Sequence, residues 1–201
     1  MKIRLAMSAD AQAIAALHTS SWRRTYKNAL SDEYLQRTAP IEREAVWAQR
    51  FASRKENQQV LVAEGENGVV GFACAYGAEH VEWGSYLDNL HVDESFQRQG
   101  IGRSLLVGIA RWCDQQTPGR GLYLSVNQDN RRAQRFYRGL GAHNAKSGVW
   151  NAPDGSAVPT YWFVWESIEA LVAAAANHSF QLTACGGAEL KRWALCRTPL
   201  Q

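Results

Sequence analysis

Asn89-Leu90-His91-Val92-Asp93-Glu94-Ser95-Phe96-Gln97-Arg98-Gln99-Gly100-Ile101-Gly102-Arg103 is the stretch that decides how this chain reads. The apolar run Tyr86–Val92 predicts a strand, and the polar residues after it predict a short loop. Gly100 then opens a helix whose apolar positions Ile101, Leu105, Ile109 and Trp112 share one face. The first amides of a helix lack intrahelical partners, and the helix dipole adds positive potential there. Gly100 and Gly102 carry no Cβ to hold an anion off the backbone, and Arg98 and Arg103 add charge. Such a segment is a cradle for a diphosphate. Two nucleotide motifs are excluded: no GxxxxGK[ST] occurs, and Leu105 stands where GxGxxG needs its third glycine.

Outward from this stretch, Ile3–Ala6 reads as a strand and Asp10 as the cap of a helix carrying Ile14, Leu17 and Trp22 at helical spacing. Tyr34–Phe51 is helical with an interruption at Pro40. Gln59–Ala63 and Val69–Tyr76 are strands joined by Glu64–Gly68, where Asn67-Gly68 supplies the positive φ angles of a tight hairpin. On the other side, Gly121–Val126 is a strand, and a helix runs from Asp129/Asn130 to about Leu140, where Gly141 stops it. Ser147–Trp150 and Thr160–Trp165 form a last hairpin, and Ile168–Asn177 an Ala-rich helix. Hairpins at both ends with β-α-β-α between them predict an α/β (α+β) sheet with helices on its faces.

The chain has 201 residues, 46% hydrophobic and 20% charged, which suits one soluble globular domain and excludes wholesale disorder. A net charge of +3 is too weak to argue for nucleic acid. No apolar run approaches the roughly 20 residues of a membrane span, and the N-terminus has no signal-peptide core. Cys74, Cys113, Cys185 and Cys196 are widely spaced without a CxxC or Cys/His cluster, so free thiols in a reducing cytoplasm are expected and no metal site is.

Gln97-Arg98-Gln99-Gly100-Ile101-Gly102 resembles the Q/R-x-x-G-x-G/A signature of the GCN5-related N-acetyltransferase (GNAT) superfamily. A second block, Leu124-Ser125-Val126-Asn127 followed by Asn130-Arg131-Arg132-Ala133-Gln134-Arg135-Phe136-Tyr137, is similar to another of its motifs. Leu17-His18-Thr19-Ser20-Ser21-Trp22, with Tyr26 beyond, looks like its first-helix region. One departure is Gly141-Ala142, where the family usually has Gly-Phe, a packing position. The likeness covers about residues 3–166, so that 1–166 are expected to form one N-acetyltransferase domain; 167–201 are a helical extension and tail whose role it leaves open.

The resemblance implies the acyl-CoA N-acyltransferase fold: a mixed, mostly antiparallel sheet with a splayed strand pair and helices on both faces. It implies acetyl-CoA as co-substrate and acetyl transfer to a primary amine by direct attack on the thioester. The loop Gln97, Arg98, Gln99, Gly100, Ile101, Gly102 and Arg103 would hold the pyrophosphate. Leu90, His91 and Val92 would offer backbone groups to the pantetheine arm, with the Leu90 amide polarising the thioester carbonyl. Asn130 would contact the pantetheine, as an N-cap or besides being one. Tyr137 would be the general acid for the departing thiolate, or a packed aromatic.

An alkylammonium of pKa near ~10.4 is mostly protonated at pH 7, so the acceptor needs a base or a water relay. Asp88, on the alternate face of its strand from His91, is the nearest candidate, with Glu82 and Glu79 as competitors. His18, His80 and His91 read as surface or core histidines. The acceptor side would comprise the first two helices, the Glu79–Ser85 segment and the last hairpin. Trp22, Tyr26, Trp47, Trp83, Tyr86, Trp150, Tyr161 and Trp162 fall there and suggest an amine with an apolar body; Asp32, Glu33, Glu79, Glu82 and Asp88 keep a polycation open. The expectation is a cytoplasmic enzyme acting on a small-molecule amine, with no nucleic-acid or membrane partner and a homodimer compatible with the family. A non-catalytic acyl-CoA-binding module is the alternative, and a nucleic-acid role for Arg131, Arg132, Arg135 and Arg138 is a further rival.

Overall fold

The computed structural model describes residues 1–183. Strands β1 (Lys2–Leu5), β2 (Gln58–Gly65), β3 (Gly68–His80), β4 (Gly84–Val92), β5 (Leu122–Asn127), β6 (His143–Asn151) and β7 (Ala157–Trp165) form one sheet in the order β1-β2-β3-β4-β5-β7-β6. Every neighbouring pair is antiparallel except β4 and β5. The β2–β3 hairpin forms as expected, but its turn differs: Glu66 and Asn67 are the central residues, and Gly68, paired with Gly65, takes the positive φ (+115°) while Asn67 does not.

The helices are α1 (Ala11–Thr25), α2 (Ala39–Ala52), α3 (Ile101–Gln116), α4 (Arg131–Gly139) and α5 (Ile168–Thr183). One face of the sheet buries Val60, Val62, Phe72 and Cys74 against Ile14 and Leu17 of α1 and Trp47 of α2. The other buries Leu61, Ala63, Ala73, Ala75 and Leu87 against Ile101, Leu105, Leu106 and Ile109 of α3. Alternate residues of β2 and β3 thus feed two cores, as the period of two in a strand demands. Ile168, Leu171 and Ala175 of α5 join the α3 core. Cys74 and Cys113 are buried free thiols, whereas Cys185 and Cys196 lie outside the described residues.

Two helix starts differ from the sequence reading. Asp10 occupies the N-cap position of α1 but its carboxylate does not cap: it takes two hydrogen bonds from Arg4, at 2.7 and 2.9 Å, and one from the Met7 amide at 2.8 Å. A bidentate guanidinium partner outcompetes a neutral amide, and the pair ties β1 to α1. Before α2, Tyr34–Thr38 forms a π-helical turn. Pro40 then falls in the first turn of α2, and the helical run passes through it unbroken from residue 32, the π-helical turn standing where an interruption was expected.

Candidate active site

β4 and β5 pair only at Ser85–Leu122 and Tyr86–Tyr123. Beyond Tyr86 the two strands separate, leaving a wedge between Leu87–Val92 and Leu124–Asn127. This is the splay that the sequence resemblance implied, and the glycine loop follows directly from its open end.

The loop is shaped by its own side chains. Asp93 caps the short turn Glu94–Phe96 by accepting from the Ser95 amide at 3.0 Å. The Gln97 amide group donates to the Val92 carbonyl at 3.0 Å, and that of Gln99 to the Ser95 carbonyl at 3.4 Å. Gln97 and Gln99 therefore brace the loop with their side chains. Arg98 (φ +64°) and Gly100 (φ +82°) are both left-handed, so the loop bends sharply twice just before α3. At Arg98, a non-glycine residue, the conformation is strained by roughly 1–2 kcal/mol.

Gly100 is the N-cap of α3 and has no side chain to satisfy the first turn itself. A Cβ built on Gly100 would meet nothing within 4 Å, and one on Gly102 would meet only Val92 and Phe136, at 3.7 and 3.9 Å. The fold's own packing would therefore admit a methyl at Gly102. Space is kept open on the outer side of the loop, which fits a diphosphate lying on the backbone.

Across the wedge, Asn130 accepts the Ala133 amide at 3.1 Å as the N-cap of α4, which leaves its NH2 out of the cap. Tyr137, 8% exposed, lies edge-on to Phe136, Phe163 and Trp165. Burial pushes its phenol well above the ordinary value, with the nearby Tyr26 and Tyr86 phenols adding to the effect. Burial likewise raises Tyr26 and Tyr86 to about 12, each helped by the negative charge of Asp88. Tyr86 also meets the Ser125 hydroxyl, on β5, at 3.3 Å. The wedge thus gathers Asp88 and three protonated phenols, of which Tyr137 was anticipated as the acid.

Asp88 is not on the opposite face from His91. The β3–β4 register runs from Cys74–Asn89 to Ala75–Leu87, so Asp88 is the extra residue of a bulge. A bulge breaks strict alternation. The Asp88 Oδ2 atom lies 2.7 Å from Arg50 Nη1, and the same nitrogen donates to Asn89 Oδ1 at 3.0 Å. The Asp88 contact is a close ion pair. His91 points to the same α1/α2 side, where its Nδ1 meets Ser21 Oγ at 2.7 Å.

His91 also packs against the rings of Phe72 and His18, at 5.1 and 4.8 Å. Burial, with help from Arg24, lowers its pKa to about 4. His18, 2% exposed, accepts from Trp47 Nε1 at 3.1 Å and is likewise held neutral by burial. His18 is a core histidine, and His91 is partly buried beside it. The buried thiols of Cys74 and Cys113 are pushed up to about 11 and are poor nucleophiles.

Other anticipated groups do not converge. The β3–β4 turn is at the closed end of the wedge, where Glu79 accepts from Asn57 at 2.9 Å. Glu82 lines a cleft of about 490 Å³ beside Trp83, Arg120 and His143, away from the loop. Glu33 pairs across an exposed turn with Arg37 at 3.8 Å. The helix α1 and hairpin aromatics do meet: Trp22, Tyr26 and Trp150 contact one another at 5.3, 5.8 and 5.5 Å between ring centres. Arg131, Arg135 and Arg138 line a separate cleft of about 370 Å³ with Tyr161. No group of three or more metal-ligating side chains occurs among the described residues, and no helix there is long and apolar enough to cross a membrane.

Comparison with known proteins agrees with this geometry. Residues 14–142 match the profile of the acetyltransferase (GNAT) family. The chain is 31% identical over 175 residues to the Bacillus subtilis (strain 168) protein described as uncharacterized N-acetyltransferase YuaI, covering 79% of this chain and 96% of that one. Among solved structures it resembles a ribosomal-protein-alanine N-acetyltransferase from Brucella melitensis, with TM-score 0.63, 22% identity and coverage of 83% and 100% of the two chains. It also resembles YncA from Salmonella typhimurium, solved with acetyl-CoA, at TM-score 0.58, 21% identity and coverage of 83% and 93%. PaiA N-acetyltransferase from Thermoplasma acidophilum, solved with coenzyme A, gives TM-score 0.60, 17% identity and coverage of 79% and 96%. The chain belongs to the GNAT family of acetyltransferases and is an N-acetyltransferase.

Proposed function

We propose that this protein moves an acetyl group from acetyl-CoA to the primary amine of a small molecule, in the cytoplasm, by direct attack of the amine on the thioester. The observation that carries the reading is the wedge between β4 and β5, which opens beside the left-handed glycine loop and has Tyr137 at its side. Acetyl-CoA, when bound, supplies an acetyl carbon already activated as a thioester.

The chain's own groups then have separable tasks. Backbone amides from Gln97 to Arg103, with the positive end of α3, hold the pyrophosphate. Leu90 and Val92 present backbone amides to the pantetheine along the strand edge that β5 leaves unpaired, whereas the His91 backbone is paired with Phe72 in β3, and the Asn130 NH2, left out of its cap, is available from α4. A backbone amide at Leu90 is suited to the oxyanion that develops as the amine attacks.

Tyr137 keeps its proton at neutral pH because burial disfavours phenolate. It therefore meets the departing sulfur as a donor. Its raised pKa makes full transfer uphill toward a thiolate of ordinary pKa near ~8.5, so the phenol acts chiefly by hydrogen bonding as sulfur charge builds. Asp88, or a water it orders, takes the proton from the incoming ammonium.

Tyr137→Phe tests the assignment. Acetyl-CoA affinity by calorimetry should be unchanged within about twofold, while kcat should fall by ~10²-fold or more, in the range for loss of one hydrogen-bond donor to developing charge. Unchanged turnover would remove Tyr137 from the chemistry. Acetyl-CoA binding without amine acetylation by the wild type would favour a non-catalytic acyl-CoA-binding module.

A further inference from the structure

The acetyltransferase reading leaves the amine open, and the charges around Asp88 narrow it. Of the acidic residues first placed on the acceptor side, Glu33, Glu79 and Glu82 are tied up or directed elsewhere. Asp88 is the carboxylate whose charge reaches Tyr26 and Tyr86 at the wedge. It is already compensated by Arg50, 2.7 Å away, and both side chains are roughly three-quarters buried, with 25% and 22% exposure.

Arg50 is held from several sides. Its guanidinium lies over Trp47 at 4.9 Å and Tyr76 at 5.8 Å, and Nη1 also donates to Asn89. Nearby, the Arg43 guanidinium packs over Trp22 at 4.3 Å, and its contact with Glu42 is a loose 3.5 Å. That glutamate oxygen already accepts from the Tyr34 hydroxyl. The α1/α2 side of the wedge therefore offers aromatic surface from the partly buried Tyr26 and Trp150, packed on the buried Trp22, and more positive than negative charge.

We propose that Arg50 is a specificity-determining residue. It fills the place at Asp88 that a second cationic group of a substrate would need, so the acceptor is a monoamine with an apolar or aromatic body, and polyamines are excluded. A polyamine entering this half-buried region would bring a second ammonium against guanidinium, where Asp88, which serves the reacting amine, is already paired with Arg50. The same clamp grips both bulge residues, Asp88 and Asn89, and so positions the strand just before Leu90. The inference rests on the acetyltransferase reading, and its test separates the two.

The experiment compares kcat/KM for a set of alkyl and aryl monoamines, including 2-phenylethylamine, with kcat/KM for spermidine. It uses wild type, Arg50→Lys and Arg50→Met, with acetyl-CoA affinity measured for each. Wild type should prefer its best monoamine over spermidine at least tenfold. Arg50→Lys, which keeps the charge, should retain that preference; Arg50→Met should shift the ratio toward spermidine at least tenfold, mainly through a lower KM for spermidine. A wild type that acetylates spermidine as well as any monoamine overturns the proposal and leaves the acetyltransferase reading intact. So does a folded Arg50→Met with an unchanged ratio. If Arg50→Met does not fold, the wild-type ratio and Arg50→Lys decide. Acetyl-CoA binding with no amine acetylated overturns both readings.

Discussion

Replacing Gly100 by alanine separates strain from binding. Gly100 sits at φ +82°, and a Cβ there would meet nothing within 4 Å, so the cost to the fold is conformational and not steric. A left-handed L-residue costs about 1–2 kcal/mol. At about 2–4 °C per kcal/mol for a domain of this size, Tm should fall by about 2–8 °C. Gly119 provides a matched control: its φ is +72°, its Cβ position is equally open, and it lies between α3 and β5, away from the loop. Gly119→Ala should lose a similar amount of stability. Only Gly100→Ala should weaken acetyl-CoA. If relaxation of residue 100 misdirects one amide from the pyrophosphate, the loss of a charge-assisted hydrogen bond costs about 1.5–3 kcal/mol, or roughly 10- to 150-fold in Kd. Thermal melts and calorimetric titration with acetyl-CoA read both quantities. Equal affinities for the two variants, with equal losses in Tm, would refute the assignment of the loop as the pyrophosphate cradle.

Three further outcomes follow from individual side chains. Asn130→Ala removes the cap of α4 and should cost about 1 kcal/mol, a Tm loss of about 2–4 °C in a thermal melt; Asn130→Asp should keep most of that stability while weakening acetyl-CoA if the NH2 is used in binding. His91 has a folded pKa of about 4 against an ordinary 6.5, so the unfolded chain takes up the proton first. Its contribution is complete above about pH 6.5 and is lost as pH falls toward 4, by roughly 3 kcal/mol in all; urea titrations across that window should show the slope, and His91→Gln should reduce it, leaving the share of the buried His18. Asp88→Asn should lower kcat/KM at neutral pH, read in a steady-state assay with a small amine. Unchanged kcat/KM would assign proton removal to another group.

The strand-loop-helix at residues 86–112 was legible because two local signals agree there: helical periodicity after Gly100 and a glycine able to adopt a positive φ. The β2–β3 hairpin was legible for the same kind of reason, since Gly68 takes the turn's positive φ. What escaped depends on contacts between distant segments. The bulge at Asp88 comes from how β4 registers against β3, and no residue in YLDNLHV announces it. Arg50 reads as one more basic residue near a helix end until α2 is packed over β4. The left-handed Arg98 is hidden because its residue type argues against that conformation. Asp10 had the right identity for a cap, and Arg4, six residues before it, claimed its carboxylate.

The most direct test is the initial rate of CoA-thiol release from acetyl-CoA by the wild-type protein, with and without each of a panel of small amines. The acetylated product is to be identified by mass spectrometry. Release that depends on a monoamine, with one acetylated amine formed per thiol, is the expected result. Thiol release that no amine accelerates, from a protein that binds acetyl-CoA, would contradict acetyl transfer to a small-molecule amine.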